Sequence, residues 1–66
     1  MINKEKELIK KLTLQFKELQ QIKSKEELRK AINNVIIYSI FKHYSDEFID
    51  NLFIIKRDIY LGKNIK

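Results

Sequence analysis

The chain has 66 residues, of which 44% are hydrophobic and 35% charged, with no cysteine and a formal net charge of +5. This length allows one domain of marginal stability, and the lack of cysteine excludes disulfides and thiolate metal sites. The composition is too apolar for a disordered tail and too charged for a membrane span. The first eight residues alternate charges and lack the apolar segment of a secretory signal, so we expect a cytoplasmic protein.

Capping residues divide the chain into predicted helices. Three helices are predicted, at about residues 3–22, 25–43 and 46–61. Ser24 and Glu27 have the spacing of a capping box, in which the Glu27 carboxylate returns to the Ser24 backbone N–H. Ser45 precedes two acidic residues, which suits a helix N-terminus, and Gly62 follows the last apolar residue of the third helix. We therefore predict one all-α domain over 1–66, either a three-helix bundle or a helical hairpin with a third helix, and expect it to be a dimer.

Predicted helices two and three carry more apolar residues than one inward stripe requires. In helix two, Leu28 and Val35 already supply such a stripe, whereas a second stripe with i, i+3, i+4, i+7 spacing lies across the helix. One explanation is that both helices are simply more enclosed than helix one. We favour an interface with a protein partner or a second copy, because surplus apolar surface on small chains marks one. The predicted interface residues are Ile37, Ile40, Phe41, Tyr44, Phe53, Ile54 and Tyr60.

Basic residues concentrate in predicted helix one and at its junction with helix two. The candidate anion-binding residues are Lys6, Lys10, Lys17, Lys23, Lys25, Arg29 and Lys30. They predict either a phosphate-binding face or an ordinary solvated helix surface. Nucleic acid is the second choice, because the chain has only two arginines and the third helix opens with the acids Asp46, Glu47 and Asp50. A membrane surface is less favoured still, since the apolar stripe of helix one is needed to close the bundle.

Catalytic patterns are scarce in this sequence. His43 is the single histidine, and Ser39 precedes it by one helical turn, which permits a hydrogen bond but is a common arrangement. There is no glycine-rich phosphate loop and no set of nitrogen ligands at metal-binding spacing. We also expect a chain of this size to lack a pocket of roughly several hundred cubic ångströms. These observations argue against an enzyme, and we expect no cofactor and no metal.

The sequence therefore favours a small non-enzymatic regulator that binds a protein through an apolar face of helices two and three. An inhibitor, a modulator or an immunity-type factor fits this description. The alternative is a nucleic-acid-binding regulator that uses the lysine-rich face of helix one.

Overall fold

Three α-helices and short connections account for the computed structural model, which describes residues 2–65. The helices are α1 (Asn3–Leu19), α2 (Lys25–Phe41) and α3 (Asp46–Leu61). Among the described residues 78% are helical and none lies in a strand. The α3 helix is central: α2 packs along it extensively, α1 packs on it over a smaller area, and α1 and α2 scarcely meet. The prediction of an all-α three-helix domain is confirmed.

The helix boundaries agree with the capping residues more closely than with the apolar periodicity. The α3 helix has the predicted limits, but α1 ends three residues before residue 22 and α2 ends two residues before residue 43. After α1, the Lys23 N–H donates to the Leu19 carbonyl at 2.8 Å, which tightens the turn before Ser24. Ser24 caps α2 and therefore has extended backbone angles. Because of this, α1 must end before Ser24.

Serine hydroxyls cap both α2 and α3. Ser24 Oγ accepts from the Glu27 N–H at 3.2 Å, and Ser45 Oγ accepts from the Phe48 N–H at 3.3 Å. The capping box at Ser24 differs from the prediction in one detail, since the Glu27 carboxylate accepts from the Ser24 hydroxyl at 3.2 Å and not from its backbone N–H. Each cap satisfies a backbone donor that has no partner within its helix.

Helices α2 and α3 end in the same way, with a residue in the left-handed conformation. This residue is His43 after α2, with φ of 60°, and Gly62 after α3, with φ of 71°. The N–H that follows His43 donates to the Ser39 carbonyl at 3.1 Å, and the N–H that follows Gly62 donates to the Asp58 carbonyl at 2.8 Å. These are Schellman-type ends, in which a left-handed residue turns the chain back over the last helical carbonyls.

His43→Gly is expected to raise the free energy of unfolding by about 0.5–1 kcal/mol. The left-handed conformation costs an L-residue with a Cβ about 1–2 kcal/mol, and the greater freedom of glycine in the unfolded chain offsets part of that gain. Gly62→Ala is the matched control and should change stability in the opposite direction, because a Cβ at Gly62 meets no atom within 4 Å and only the φ angle opposes it. Urea titrations followed by circular dichroism would measure the free energy of unfolding of both variants. If the two substitutions changed it in the same direction, this explanation of the helix ends would be wrong.

The hydrophobic core lies between α3 and the inner stripes of the other two helices. Its buried residues are Phe16, Leu28, Ile32, Ile36, Phe48, Leu52, Ile55, Ile59 and Ile65. Ile65 comes from the C-terminal segment after α3. The side-chain amide of Gln20 holds this segment, since Nε2 donates to the Lys63 carbonyl at 2.9 Å and Oε1 accepts from the Ile65 N–H at 3.0 Å.

A buried carboxylate joins the first turn of α1 to the N-terminus of α3. Glu5 is 7% exposed, and its Oε1 accepts from the Ser45 hydroxyl at 2.6 Å while its Oε2 accepts from the Ser45 N–H at 3.2 Å. Ser45 is thus a helix cap and the partner of a buried charge at once. The position suits a negative group, because the N-terminus of a helix carries partial positive charge.

Candidate protein-binding face

One side of the α2–α3 hairpin exposes apolar side chains that no other part of the described chain covers. We call it the apolar face. Its members are Ile37, Ile40, Phe41, Phe53 and Tyr60. Phe41 is 76% exposed and Ile37 is 64% exposed, although Ile36, directly before Ile37, is buried. Lys56 joins Phe53 and Tyr60 at one end of this set, whereas Ile37 and Phe41 lie on the side of α2 that faces away from its buried residues.

The α1 helix covers the other side of the hairpin. Leu8 and Leu12 of α1 border an apolar groove whose opposite wall contains Val35 and Ser39 of α2, with Phe48 of α3 at its base. The inward residues of α1 are therefore used on that side. Nothing from α1 is available to bury the apolar face.

Cations lie against the aromatic rings at one end of the apolar face. The Arg29 guanidinium carbon lies 4.6 Å from the Tyr60 ring centroid, and Lys56 Nζ lies 5.3 Å from Tyr60 and 5.7 Å from Phe53. Asn33 Nδ2 donates to the Tyr60 hydroxyl at 3.2 Å. Such contacts fix the rings and contribute about 0.5–1 kcal/mol each where they are exposed. Tyr60 is therefore held in place before any partner binds.

The charges around the apolar face are divided between its two ends. The end near Tyr60 has Arg29, Lys30 and Lys56, together with the acid Glu26. The end near the α2–α3 turn has Asp46 and Asp50, together with the base Lys42. The antiparallel packing of the two helices creates this division, because the basic half of α2 lies beside the basic half of α3. A surface with both signs at separate ends can select a partner by orientation as well as by apolar contact.

The other two predicted interface residues lie elsewhere. Tyr44 is half-buried and packs on the core, with its ring centroid 4.6 Å from that of Phe48. It follows the left-handed residue His43, so the helical spacing that placed it with Phe41 no longer applies. Ile54 is 48% exposed and borders a cleft between α1 and α3.

The seven candidate anion-binding residues do not form one basic face. Lys10 and Lys17 flank a shallow depression beside Asn51 of α3. Lys23 Nζ lies 3.8 Å from the Glu27 carboxylate, and Arg29 lies against an aromatic ring of the apolar face. The other three are Lys6, Lys25 and Lys30, all of them exposed. Helix geometry gives Lys6 the same side of α1 as Lys10 and Lys17, so the longest basic stripe has three residues.

The expectation that the chain lacks a sizeable pocket is wrong. A cleft of about 640 Å³ runs between α1, α3 and the C-terminal segment, and the apolar groove between α1 and α2 measures about 390 Å³. The larger cleft contains Asp58, which is 9% exposed and whose carboxylate lies 3.5 Å from the Arg57 guanidinium. Among the described residues no group of three His, Cys, Asp or Glu side chains could hold a metal ion.

Ser39 and His43 do not form the hydrogen bond that their spacing permits. The Ser39 hydroxyl is buried and donates to the Val35 carbonyl at 2.8 Å. His43 is exposed and lies outside α2, where its left-handed backbone ends the helical register. The two side chains therefore act separately.

Sequence reasoning missed several residues that shape the binding surface. Tyr38 is 56% exposed, borders the α1–α2 groove and has Lys42 Nζ at 5.6 Å from its ring. Lys56 is also absent from the predicted interface residues. Its spacing from Phe53 and Tyr60 nevertheless places all three on adjacent turns of one helix face. That spacing was the available signal, whereas the contact of Tyr60 with α2 depends on tertiary packing.

No known protein family, curated protein or solved structure matches this chain. In the part of the chain that the structure describes, no helix combines the length and the apolar character needed to cross a membrane. Any functional assignment therefore depends on the geometry and charge of the surfaces themselves.

Proposed function

We propose that this chain is a small non-enzymatic regulator, of the inhibitor, modulator or immunity type, that docks on a protein through its apolar face. The observation that carries the proposal is the exposure of Ile37 and Phe41, 64% and 76%, beside the buried stripe of the same helix. Burial of apolar surface gains about 25 cal/mol per Å², so a protein that covers this face gains free energy without rearranging the bundle. Exposed apolar groups that adjoin one another mark interaction sites on proteins.

A protein surface fits the apolar face better than a nucleic acid. The rim has cations at one end and the acids Asp46 and Asp50 at the other; a phosphate backbone is attracted to the first end and repelled by the second. The matching surface has apolar residues at its centre, acids toward Arg29 and Lys56, and bases toward the aspartates. An amphipathic helix or helix pair has this pattern.

The proposal is tested by capture of proteins from a lysate of the native host at 0.05 and 1 M salt. Immobilised wild type is compared with Phe41→Glu and with Leu14→Glu, a matched control whose exposed side chain lies on α1. The proposal predicts a protein that is retained at high salt by wild type and Leu14→Glu and is lost with Phe41→Glu. Equal retention by all three would overturn the apolar face as the binding site, and capture of nucleic acid alone at low salt would favour the lysine stripe.

Reversing two charges of the α1 stripe provides a second check. The variant with Lys10→Glu and Lys17→Glu is expected to keep its free energy of unfolding within about 0.5 kcal/mol of wild type, because exposed charges contribute little. Affinity for a protein partner should also be unchanged, since both lysines lie on the α1–α3 side of the molecule. Filter binding with double-stranded DNA and single-stranded RNA measures the alternative: a large, salt-sensitive loss in the variant would support a nucleic-acid regulator.

A further inference from the structure

We infer that Arg29, Lys56 and Tyr60 form a receptor for an anionic side chain, and that the protein which covers the apolar face places a glutamate or aspartate carboxylate there. We call these three residues the anion subsite. The inference rests on the proposed function, because it names the chemistry of the group that docks at one end of the same surface. Three observations carry it: two cations without an acidic partner, a set of polar groups that all donate, and an apolar ring beside them.

Two positive groups lie against the ring of Tyr60, and neither is neutralised within the described chain. The Arg29 guanidinium carbon lies 4.6 Å and Lys56 Nζ lies 5.3 Å from the ring centroid. Both residues are half-buried, and among residues 2–65 neither has a carboxylate within ion-pair distance. Glu26, almost one turn before Arg29, is exposed and makes no such contact. Because like charges this close repel each other, an anion that contacts both removes an electrostatic cost.

The anion subsite has hydrogen-bond donors to offer and lacks acceptors for them. A guanidinium and an ammonium can only donate. The Tyr60 hydroxyl accepts from Asn33 Nδ2 at 3.2 Å, which leaves its own proton available to a further acceptor. Arg29 Nε is a buried donor without a hydrogen-bond partner in the described chain. Since buried polar groups in native proteins normally have partners, this arginine lacks an acceptor. A carboxylate supplies acceptors for such a set through charge-assisted hydrogen bonds.

A carboxylate from a protein fits this subsite better than a nucleic-acid phosphate. Lys56 Nζ also lies 5.7 Å from the ring of Phe53, which is 45% exposed, so an apolar surface adjoins the cations. A protein can cover that ring with an apolar side chain while a neighbouring acid meets Arg29 and Lys56. A phosphate backbone gains affinity from many cations in a row. However, Lys10 and Lys17 flank the depression between α1 and α3, so they do not extend the subsite.

The two cations are expected to contribute differently. The parallel N–H groups of a guanidinium match the two oxygens of a carboxylate, whereas an ammonium on a flexible stem acts as a point charge. The contact with Tyr60 also holds the Arg29 guanidinium in place before a ligand binds. Loss of the arginine should therefore weaken recognition of a carboxylate more than loss of Lys56.

Matched peptides test the charge of the ligand. The probes are two capped tripeptides, leucine-glutamate-leucine and leucine-glutamine-leucine, which have nearly the same size and the same apolar side chains. In NMR titrations of the isotopically labelled wild type, the glutamate peptide is expected to bind at least about fivefold more tightly. The largest shifts should occur at the Arg29 Nε–H and the Tyr60 ring. Equal affinity for the two peptides, or shifts confined to other parts of the chain, would overturn the anion subsite.

The two arginines of the chain supply a variant and its matched control. Arg29→Gln is expected to abolish the preference for the glutamate peptide, and Lys56→Gln to reduce it. Arg57→Gln should keep the wild-type preference, because Arg57 is exposed and pairs with Asp58 in the α1–α3 cleft. Circular dichroism shows whether each variant is folded, and Lys56→Gln is the test if Arg29→Gln unfolds. Equal losses for the two arginine variants would show that net charge alone sets the preference and would overturn the inference.

An octanucleotide of thymidine distinguishes a protein carboxylate from a nucleic-acid phosphate. At about 0.15 M salt it should bind wild type and Arg29→Gln equally, because the subsite is inferred to serve a protein. Binding that is weakened by Arg29→Gln and unaffected by Lys10→Glu with Lys17→Glu would overturn the carboxylate as the ligand and indicate a nucleic acid.

Failure of this inference is distinguishable from failure of the proposed function. Host-protein capture that is lost with Phe41→Glu but is the same for wild type, Arg29→Gln and Lys56→Gln overturns the anion subsite and leaves the proposed function in place. Capture that is insensitive to all three substitutions overturns both.

Discussion

Ser45→Ala is expected to lower the free energy of unfolding by about 2–4 kcal/mol, well beyond the effect of removing the other serine cap. The substitution removes the acceptor for the Phe48 N–H, which typically costs about 0.5–2 kcal/mol. It also removes the hydroxyl that donates to the buried carboxylate of Glu5 at 2.6 Å. A hydrogen bond to a charged group contributes about 1.5–3 kcal/mol, and its loss leaves a desolvated oxygen without that partner.

Ser24→Ala is the matched control for this prediction. Ser24 is exposed and its hydroxyl contacts only Glu27, three residues away, so its removal should cost about 0.5–1 kcal/mol. Urea denaturation of both variants, and of Glu5→Ala alone and combined with Ser45→Ala, measures the coupling. The account predicts that Glu5→Ala and Ser45→Ala are not additive. Equal losses for the two serines, or additivity between positions 5 and 45, would show that the Glu5–Ser45 contact does not stabilise the fold.

Phe41→Glu is expected to weaken binding at the apolar face at least 100-fold while the helices persist. Phe41 is 76% exposed, so the monomer loses little packing, and its free energy of unfolding should stay within about 0.5 kcal/mol of wild type. In an interface the same change forces a carboxylate into an apolar contact, where it costs several kcal/mol or keeps the surface open to water. Central aromatic residues commonly dominate interfaces in this way.

Circular dichroism measures whether Phe41→Glu stays helical, and isothermal dilution calorimetry measures whether it still associates. We expect an unchanged helical signal for Phe41→Glu, and no heat of dissociation at concentrations where the wild type gives one. Leu14→Glu should keep both properties of wild type, because Leu14 is also exposed, at 59%, but lies on α1. A Phe41→Glu variant that loses its helical signal would instead show that Phe41 belongs to the core of the bundle.

Helix positions were predictable because the signals are local. Ser24, Ser45 and Gly62 each act within a few residues of their own helix end, and all three occupy the predicted positions. The apolar periodicity was less precise at the C-terminal ends of α1 and α2, since apolar residues continue past the last helical residue. Ile22 is 74% exposed in the turn after α1, which shows that spacing alone does not keep a residue in a helix.

Contacts between distant segments were not predictable in the same way. Glu5 lies on the inward stripe of α1, three and four residues before Leu8 and Ile9, but its partner Ser45 is 40 residues away. Gln20 likewise bonds a segment more than 40 residues later. A charged or amide side chain on an apolar stripe signals that a polar partner exists, whereas its identity depends on how the helices pack.

The composition of the candidate site was partly predictable. The apolar surplus of α2 and α3 follows from the number of apolar stripes that each helix carries, and Ile37, Ile40, Phe41, Phe53 and Tyr60 are all exposed in the structure. Tyr44 and Ile54 lie elsewhere because α2 ends before Tyr44 and because Ile54 projects toward the cleft beside α1. The division of charge between the ends of the face needs the antiparallel packing and could not be seen in the linear sequence.

Sedimentation equilibrium of the wild type beside Phe41→Glu shows whether the apolar face is an interface. With both proteins measured from low to high micromolar concentration, the dimer that the sequence predicts should give a wild-type mass that rises with concentration toward twice the chain mass of 8.0 kDa. The variant should stay at one chain mass with an unchanged helical signal. Two proteins with the same mass at every concentration, and the same binding to any captured protein, would contradict the claim that the apolar face is an interface.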